Sequence, residues 1–496
     1  MCDPWKLTLA MPASDPNRPA RALPQPATPA LAMADTHWPA AAVAAQAAEL
    51  AQRLSVAGLR AGQVALRAAD DPVHLLLLQH ALARLGAGLL PYPPELAAAA
   101  LDALAAGVGA EWHWQRGAVM PTGRRRALAA DAAWPALLVR TSGSSGVPKL
   151  VMLTAGQLLA SAARVNAALD LRRGDQWLCV LPLSHIGGLA IGWRCALAGA
   201  TLRLVGAGDA RAPLVPRHGD VGSEPARPGF DAAAVAGALA GYPVTHVSLV
   251  PAMLARLLEV MPAPPASLRV ALLGGQALHP ALARRAVAAG WPLYVSYGMS
   301  ETGSMIAVGR WQDDDAPGTW VGLPLPDVDL DCAGSDQAPR VLRLRGPMLM
   351  AGYADAARRP GIGLADGWLT TADLCRLDAD GALRVFGRAD ELVVIGGEQV
   401  SPAAVEMRLA GLPGMREVAV VAVPHPTWGA TLAACWSGSA TPAAVDAWCR
   451  AELPGRERPR LLRRFDALPL LAAGKPDRAA LRAAVVEHGE ATDRAR

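Results

Sequence analysis

The chain has 496 residues, a formal net charge of +4 and an apolar fraction of 52%. A chain of this length is too long for one ordinary core, so we expect at least two domains, and the apolar fraction excludes a disordered protein. Lys and Arg are scattered apart from residues 124–126, which we interpret as a solvated face, so nucleic-acid binding is not indicated.

The seven cysteines are odd in number, far apart and never in CxxC spacing. This pattern predicts neither a disulfide framework nor a zinc site, and reduced thiols in a cytoplasm fit it best. The N-terminus lacks the pattern of a signal peptide, and no stretch approaches the ~20 apolar residues that a spanning helix needs. We therefore expect a cytoplasmic protein without a membrane span. The sequence does not indicate an oligomeric state.

Residues 1–38 are rich in Pro and Ala and are predicted to form a loosely ordered lead-in. From about 39 to 205, helical patterns alternate with short apolar runs bounded by Gly and Pro, which predicts stacked βα units around largely parallel sheets. Residues 206–230 are dense in Gly, Pro and charge and are predicted to form an exposed loop, after which the βα pattern resumes. The predicted elements include helices over 41–54, 73–85 and 280–289, and strands over 136–140, 177–181, 244–250, 270–273 and 293–296.

The sequence pattern changes between residues 318 and 388. Short apolar runs with frequent turn residues there predict a small β-rich subdomain. Beyond Asp390 a compact α+β unit of about one hundred residues closes the chain. We therefore expect an α/β fold. Its large N-terminal domain over 39–389 combines two stacked βα subdomains with the β-rich one, and a small domain follows over 390–496.

The sharpest local pattern is a Ser/Gly-rich loop directly after the predicted strand 136–140: Thr141-Ser142-Gly143-Ser144-Ser145-Gly146-Val147-Pro148-Lys149. Its two glycines permit unusual backbone angles, so successive N–H groups can converge on an anion, and four hydroxyls and Lys149 add donors. We interpret the loop as a phosphate cradle, with a flexible linker as the alternative. A Walker P-loop is excluded because Leu150, not Ser or Thr, follows Lys149.

This loop resembles the Thr-Ser-Gly-Thr-Thr-Gly-x-Pro-Lys signature of the adenylate-forming superfamily, which contains acyl-CoA synthetases, nonribosomal adenylation domains and luciferases. Ser144 and Ser145 replace threonines and keep the hydroxyls. The other signatures follow in order, so the resemblance extends from roughly residue 40 to 485. They lie at 181–188, 272–276, 296–302, 368–373, 386–391, 395–398 and 474–478.

The resemblance implies that the protein binds ATP and Mg²⁺. Tyr297 would pack against adenine, Ser300 would reach the α-phosphate, and Glu301 would hold Mg²⁺, which prefers one or two carboxylates plus phosphate oxygens. Asp373 would accept both ribose hydroxyls, and Arg388 would contact ribose or phosphate. The ATP-binding residues implied in this way are Thr141, Ser142, Gly143, Ser144, Ser145, Gly146, Lys149, Gly274, Gly275, Gln276, Ser296, Tyr297, Gly298, Met299, Ser300, Asp373 and Arg388.

The resemblance also assigns roles in the small domain, which it implies is mobile. Lys475, in Gly474-Lys475-Pro476-Asp477-Arg478, would be the catalytic lysine, and Asp390 would be the hinge between the domains. Gly396 and Gly397 would let the pantetheine arm of coenzyme A pass. The implied activity is formation of an acyl-adenylate from a carboxylic acid and ATP, followed by transfer of the acyl group to coenzyme A.

The acid is indicated by residues around 181–202. By resemblance, His185 lines the acyl pocket near the reacting carboxylate, with Gly274 and Ser300 beside the substrate; a buried core histidine is the alternative. Arg194 follows in a segment that resembles the o-succinylbenzoate–CoA ligases of menaquinone biosynthesis. A lone Arg on an apolar segment suits a substrate with two carboxylates, whereas a structural ion pair is the alternative.

Three other functions stay open at this point. The first is a ligase for another aryl or short-chain acid, and the second is an adenylation enzyme that loads a carrier protein. The third is a non-catalytic nucleotide-binding relative, which the presence of Glu301, Asp373, Arg388 and Lys475 disfavours.

Overall fold

The computed structural model describes residues 29–493 apart from 116–117, 125–132, 142–148, 206–229, 313–318, 336–337 and 471–474. Its α-helices are α1 (Ala40–Val56), α2 (Pro72–Arg84), α3 (Ala98–Gly107), α4 (Ala155–Leu169), α5 (Ile186–Ala198), α6 (Ala232–Gly241), α7 (Pro251–Val260), α8 (Pro280–Ala288), α9 (Pro402–Leu409), α10 (Pro442–Glu452) and α11 (Arg478–Asp493).

The strands in the first half of the chain are β1 (Ala30–Met33), β2 (Thr36–Trp38), β3 (Val64–Ala68), β4 (Gly88–Tyr92), β5 (Trp112–Gln115), β6 (Ala118–Pro121), β7 (Leu137–Arg140), β8 (Leu150–Leu153), β9 (Gln176–Cys179), β10 (Thr201–Leu204) and β11 (His246–Leu249). The later strands are β12 (Val270–Leu273), β13 (Leu293–Met299), β14 (Ser304–Arg310), β15 (Leu323–Pro324), β16 (Asp329–Asp331), β17 (Arg340–Arg345), β18 (Gly352–Tyr353), β19 (Leu369–Leu377), β20 (Leu383–Arg388), β21 (Val393–Ile395), β22 (Glu398–Val400), β23 (Met415–His425), β24 (Gly429–Gly438) and β25 (Leu461–Phe465).

The largest sheet has nine strands in the order β15-β14-β13-β12-β11-β9-β10-β1-β2. Strands β13 to β1 of this order are parallel, and the strands at both ends are antiparallel. Strands β1 and β2 lie within the predicted lead-in, so the expectation of loose order is wrong for residues 30–38. The sequence Ala-Leu-Ala-Met has no β-branched or aromatic residue, and it forms β1 because the strand pairs along its length with β10.

The second sheet has seven strands in the order β18-β8-β7-β4-β3-β5-β6, with a parallel centre and antiparallel edges. One buried cluster contains side chains of both large sheets and of α1, α2, α4 and α5, so these helices pack between the sheets. Other helices cover the outer faces, α6, α7 and α8 on the first sheet and α3 on the second. Both faces of each sheet are thus buried, as parallel strands require.

Two smaller parts complete the chain. Strands β16, β17, β19 and β20 form an antiparallel sheet in the region where a β-rich subdomain is predicted. Beyond residue 390 lie the hairpin β21–β22, the sheet β23-β24-β25 and separate buried clusters of their own. Ser401 caps α9 by accepting a hydrogen bond from the N–H of Ala404, and Pro402 occupies the first helical position.

The predicted α/β class is confirmed, with antiparallel strands at the edges of the predicted parallel sheets. The boundary between 389 and 390 stays a prediction. The predicted loop over 206–230 lies almost entirely outside the described residues. Within the described part of the chain, no helix is both apolar and long enough to cross a membrane.

Candidate active site

The candidate site lies at the carboxyl edge of the nine-stranded sheet. Strands β9, β12 and β13 are parallel members of it, so the segments that follow them meet at one edge. His185 follows β9 and immediately precedes α5. Burial, together with the nearby charges of Lys475 and Arg140, lowers the pKa of His185.

The loop after β12 packs closely against β13 at Gly274. A Cβ atom at Gly274 would lie 2.8 Å from Oγ of Ser296, which donates a hydrogen bond to the carbonyl of Leu273 at 2.9 Å. Gly275 has a φ of +78°, in the left-handed region that favours glycine. In the β13–β14 hairpin, a Cβ at Gly298 would lie 2.1 Å from the carbonyl oxygen of Ser304, so the fold itself requires this glycine.

The carboxylate of Asp373, which is predicted to bind the ribose hydroxyls, accepts hydrogen bonds from two neighbours. Asp373 and Arg388 face each other across β19 and β20, and Nη1 of Arg388 donates to Oδ1 of Asp373 at 3.3 Å. The hydroxyl of Tyr297 donates to Oδ2 of the same carboxylate at 2.5 Å. Burial and the charge of Asp373 raise the pKa of Tyr297, so this hydroxyl stays a donor. The structure therefore brings together three predicted ATP-binding residues from distant signatures.

Glu301 lies in a short 3₁₀ turn, Ser300–Thr302, between β13 and β14. Its Oε1 accepts a hydrogen bond from the hydroxyl of Tyr353 at 2.8 Å, and Nζ of Lys149 lies 4.8 Å from the Tyr353 ring centroid. Among the described residues no group of three or more His, Cys, Asp or Glu could hold a metal. A single carboxylate nevertheless fits Mg²⁺, which usually keeps water and phosphate oxygens as its other ligands.

Tyr353 belongs to none of the sequence signatures, but it contacts two of the predicted site residues. It lies on β18, at the edge of the second sheet, and links Lys149 to Glu301. No motif surrounds it, and its role depends on packing between two sheets, so no local pattern could have indicated it.

Lys475 reaches the same edge from the far end of the chain. A Cβ at Gly275 would lie 3.8 Å from Cε of Lys475. Burial lowers the pKa of Lys475, and the nearby carboxylates of Glu391 and Asp373 partly oppose that effect. The structure thus places the lysine beside the glycine loop that follows β12, about 200 residues away in sequence.

The predicted hinge begins directly after β20. Asp390 accepts two hydrogen bonds from Arg388, each 2.9 Å long, in a 3₁₀ turn over Ala389–Glu391. Gly396 and Gly397 form the two-residue turn of the β21–β22 hairpin and have φ angles of +58° and +89°.

The predicted phosphate loop connects the antiparallel strands β7 and β8. Residues 142–148, which include Ser142, Gly143, Ser144, Ser145 and Gly146, lie outside the described residues. At its ends, the N–H of Thr141 donates to the carbonyl of Lys149 at 2.8 Å. This pairing holds the two ends together where the strands terminate.

Arg194 is 1% exposed on α5, and its Cζ lies 5.2 Å from the ring centroid of Trp177. Its Nε and Nη2 atoms are buried without a hydrogen-bond partner, and within the described residues it forms no ion pair with a carboxylate. Burial lowers the pKa of its guanidinium to about 10. The alternative of a structural ion pair therefore finds no support in the described part of the chain.

Comparison with known proteins identifies the family. The model for the AMP-binding enzyme family matches residues 111–354, and the model for its C-terminal domain matches residues 404–475. The 2-succinylbenzoate–CoA ligase of Enterococcus faecalis is 31% identical over 350 residues, 68% of this chain and 67% of its own. That of Geobacillus kaustophilus is 30% identical over 460 residues, 86% of this chain and 89% of its own.

Solved structures that resemble this chain include enzymes of the same activity as these relatives. The o-succinylbenzoate CoA synthetase MenE from Bacillus subtilis, in complex with the acyl-adenylate intermediate OSB-AMP, aligns with a TM-score of 0.74 and 25% identity. The alignment covers 92% of this chain and 96% of that one. The same enzyme in complex with ATP and magnesium ion also aligns with a TM-score of 0.74. The predicted resemblance is therefore confirmed: the chain belongs to the AMP-binding enzyme family.

Proposed function

We propose that the protein is an ATP-dependent acid–thiol ligase that converts o-succinylbenzoate, ATP and coenzyme A into o-succinylbenzoyl-CoA, AMP and pyrophosphate. Membership of the AMP-binding family supports the ligase class, and the relatives named 2-succinylbenzoate–CoA ligase support the acid. The observation that most supports this acid is Arg194. It is a buried cation with unpaired donors on α5, the helix that begins directly after His185.

In the first half-reaction, a carboxylate oxygen of the acid bonds to the α-phosphorus of ATP, and the bond to the bridging oxygen breaks to release pyrophosphate. Little covalent help is needed, so the protein acts by positioning and by neutralising charge. The phosphate loop and Lys149 hold the departing pyrophosphate, and Lys475 stabilises charge on the attacking and α-phosphate oxygens. Magnesium held by Glu301 would supply further positive charge at the phosphates.

In the second half-reaction, the thiol of coenzyme A attacks the acyl carbon and AMP leaves. The small domain rotates about Asp390, withdraws Lys475 and presents the Gly396–Gly397 turn to the site. Such a two-state lid also limits access of water to the reactive mixed anhydride. Six described cysteines are buried free thiols, which supports the further proposal that the enzyme works in the cytoplasm.

The position of Arg194 suits the second carboxylate of o-succinylbenzoate. Arg194 lies nine residues after His185, which corresponds to about 13 Å along the axis of α5. Helical side chains lean toward the helix N-terminus, which is the end of α5 at which His185 lies. An unpaired buried charge costs free energy, and a bound carboxylate would offset that cost.

We expect Arg194→Ala to lower kcat/KM for o-succinylbenzoate by about 10- to 100-fold, because a hydrogen bond to a charged group contributes roughly 1.5–3 kcal/mol. The loss should be much smaller for a monoacid analogue that lacks the ring carboxylate. Arg194→Lys should recover only part of the activity, because a point charge replaces a planar fork. The measurement is kcat/KM for both acids, with melting temperature as a check on folding.

Arg203→Ala provides a matched control. Arg203, on β10, is also a buried arginine, but it donates to Oε1 of Gln176 and to the carbonyl of Ala34. Its loss should affect both acids alike. Equal losses for the two acids in Arg194→Ala would contradict the assignment of the substrate and leave only the general ligase function.

A further inference from the structure

The β21–β22 hairpin, whose turn is Gly396–Gly397, is too small to hold its own conformation. It consists of two three-residue strands joined by the two-residue turn. Both turn residues have positive φ, as a type I′ turn requires. An isolated two-stranded hairpin is only marginally stable in water. The orientation of this turn therefore depends on contacts with the rest of the small domain.

One of these contacts comes from Arg456, which follows α10 and precedes β25. Its Nη1 donates to the carbonyl of Ile395 at 3.2 Å and also to the carbonyl of Gly396. Its Nε lies 3.4 Å from Oε1 of Glu398 on the other strand of the hairpin. One side chain thus contacts both strands and the turn between them.

A second contact comes from the turn that joins β23 to β24. The N–H of Gly396 donates to the carbonyl of Trp428 at 3.0 Å. The Trp428 ring is stacked on His425, with centroids 4.5 Å apart, and Cζ of Arg460 lies 5.4 Å from its centroid. A Cβ at Gly396 would lie 3.0 Å from Nη1 of Arg456 and 3.8 Å from Cδ1 of Trp428. Gly396 is exposed to solvent, yet an added side chain there would touch both Arg456 and Trp428.

We infer that Arg456 is a positioning residue for the thioester-forming step: it fixes the Gly396–Gly397 turn in the conformation that the small domain presents to the incoming thiol. The inference rests on the proposed function, in which this turn borders the path of coenzyme A. It assigns no role to Arg456 in adenylation, which requires Lys475 instead.

The rates of the two half-reactions distinguish a positioning role of Arg456 from a role in the stability of the small domain. Lys475 and Arg456 lie in the same small domain, so a folding defect there would slow adenylation and acyl transfer together. A displaced turn would slow transfer alone. A misplacement of about 1 Å can cost on the order of 10²-fold in rate, so we expect Arg456→Ala to slow transfer from preformed acyl-adenylate by roughly 10- to 100-fold at saturating coenzyme A.

The experiment measures single-turnover rates of both half-reactions in the full-length protein with o-succinylbenzoate. The variants are Arg456→Ala, Arg456→Lys and the control Arg450→Ala, which removes an exposed arginine paired with Asp446 on α10. Adenylation should stay within about twofold of wild type in all three. Transfer should be slowest in Arg456→Ala and partly restored in Arg456→Lys, because an ammonium reaches one carbonyl but not the full set of partners.

Three results would overturn the inference: unchanged transfer in Arg456→Ala, equal losses in both half-reactions, or a raised KM for coenzyme A with an unchanged rate at saturation. The last result would make Arg456 a direct ligand of coenzyme A. Failure of the proposed function looks different, because then the wild-type protein itself does not pass the acyl group to coenzyme A.

Discussion

Lys475→Ala should slow formation of the acyl-adenylate by about 10²- to 10³-fold, the loss typical when one preorganised charge or donor is removed from a transition state. Transfer of the acyl group from supplied acyl-adenylate to coenzyme A should stay nearly unchanged. The reason is geometric: Lys475 lies beside Gly275 at the edge where the acid and the α-phosphate would meet. In the proposed transfer step the small domain turns and withdraws the lysine from this edge.

Single-turnover assays of each half-reaction, with Lys475→Arg as a variant that keeps the charge, measure this directly. Arg should restore part of the adenylation rate, since a cation remains but its reach and shape change. If Lys475→Ala slows both half-reactions equally, the lysine supports the fold of the small domain and not one chemical step.

Asp390→Pro should give the opposite pattern, with acyl-adenylate still formed but production of the coenzyme A ester sharply reduced. Proline fixes φ near −65° and is tolerated in the first turn of a helix, so it is compatible with the 3₁₀ turn over Ala389–Glu391. A hinge must change its backbone angles between two domain orientations. The substitution should therefore hold the orientation in which Lys475 lies near Gly275.

Asp390→Ala is the matched control, because it also removes the carboxylate that pairs with Arg388 but leaves the backbone free. We expect it to keep most of the transfer activity. The assay is steady-state production of the coenzyme A ester beside single-turnover adenylation. Unchanged overall turnover in Asp390→Pro would show that the pivot lies elsewhere.

The sequence predicts most of the central strands because each is a short apolar run between turn signals. Strand β12, for example, has the predicted bounds of 270–273. The edge elements are different. Strand β1 depends on its partner β10, and β18 has only two residues. Such strands exist through pairing with distant segments, which no local pattern of apolar residues records.

In the candidate site, too, single residues can be predicted from local sequence but the contacts between distant residues cannot. Family signatures point to Tyr297, Asp373 and Lys475 one at a time, but the contact of Tyr297 with Asp373 and the place of Lys475 beside Gly275 arise only when distant segments pack. The hydrogen bond from Tyr297 to Asp373 joins residues 76 positions apart. Tyr353 and Arg456 belong to none of the sequence signatures, and their carboxylate and carbonyl partners are brought near only by the fold. Their contributions could not be predicted from spacing.

The most direct test of the account is the product analysis of one reaction, which contains the wild-type protein, ATP, Mg²⁺, o-succinylbenzoate and coenzyme A. We expect AMP, pyrophosphate and o-succinylbenzoyl-CoA in equal amounts, identified by mass spectrometry. Without coenzyme A, we expect pyrophosphate release limited to about one turnover, because the acyl-adenylate stays bound. ADP as the product, or an ester formed from other acids while o-succinylbenzoate is ignored, would contradict it.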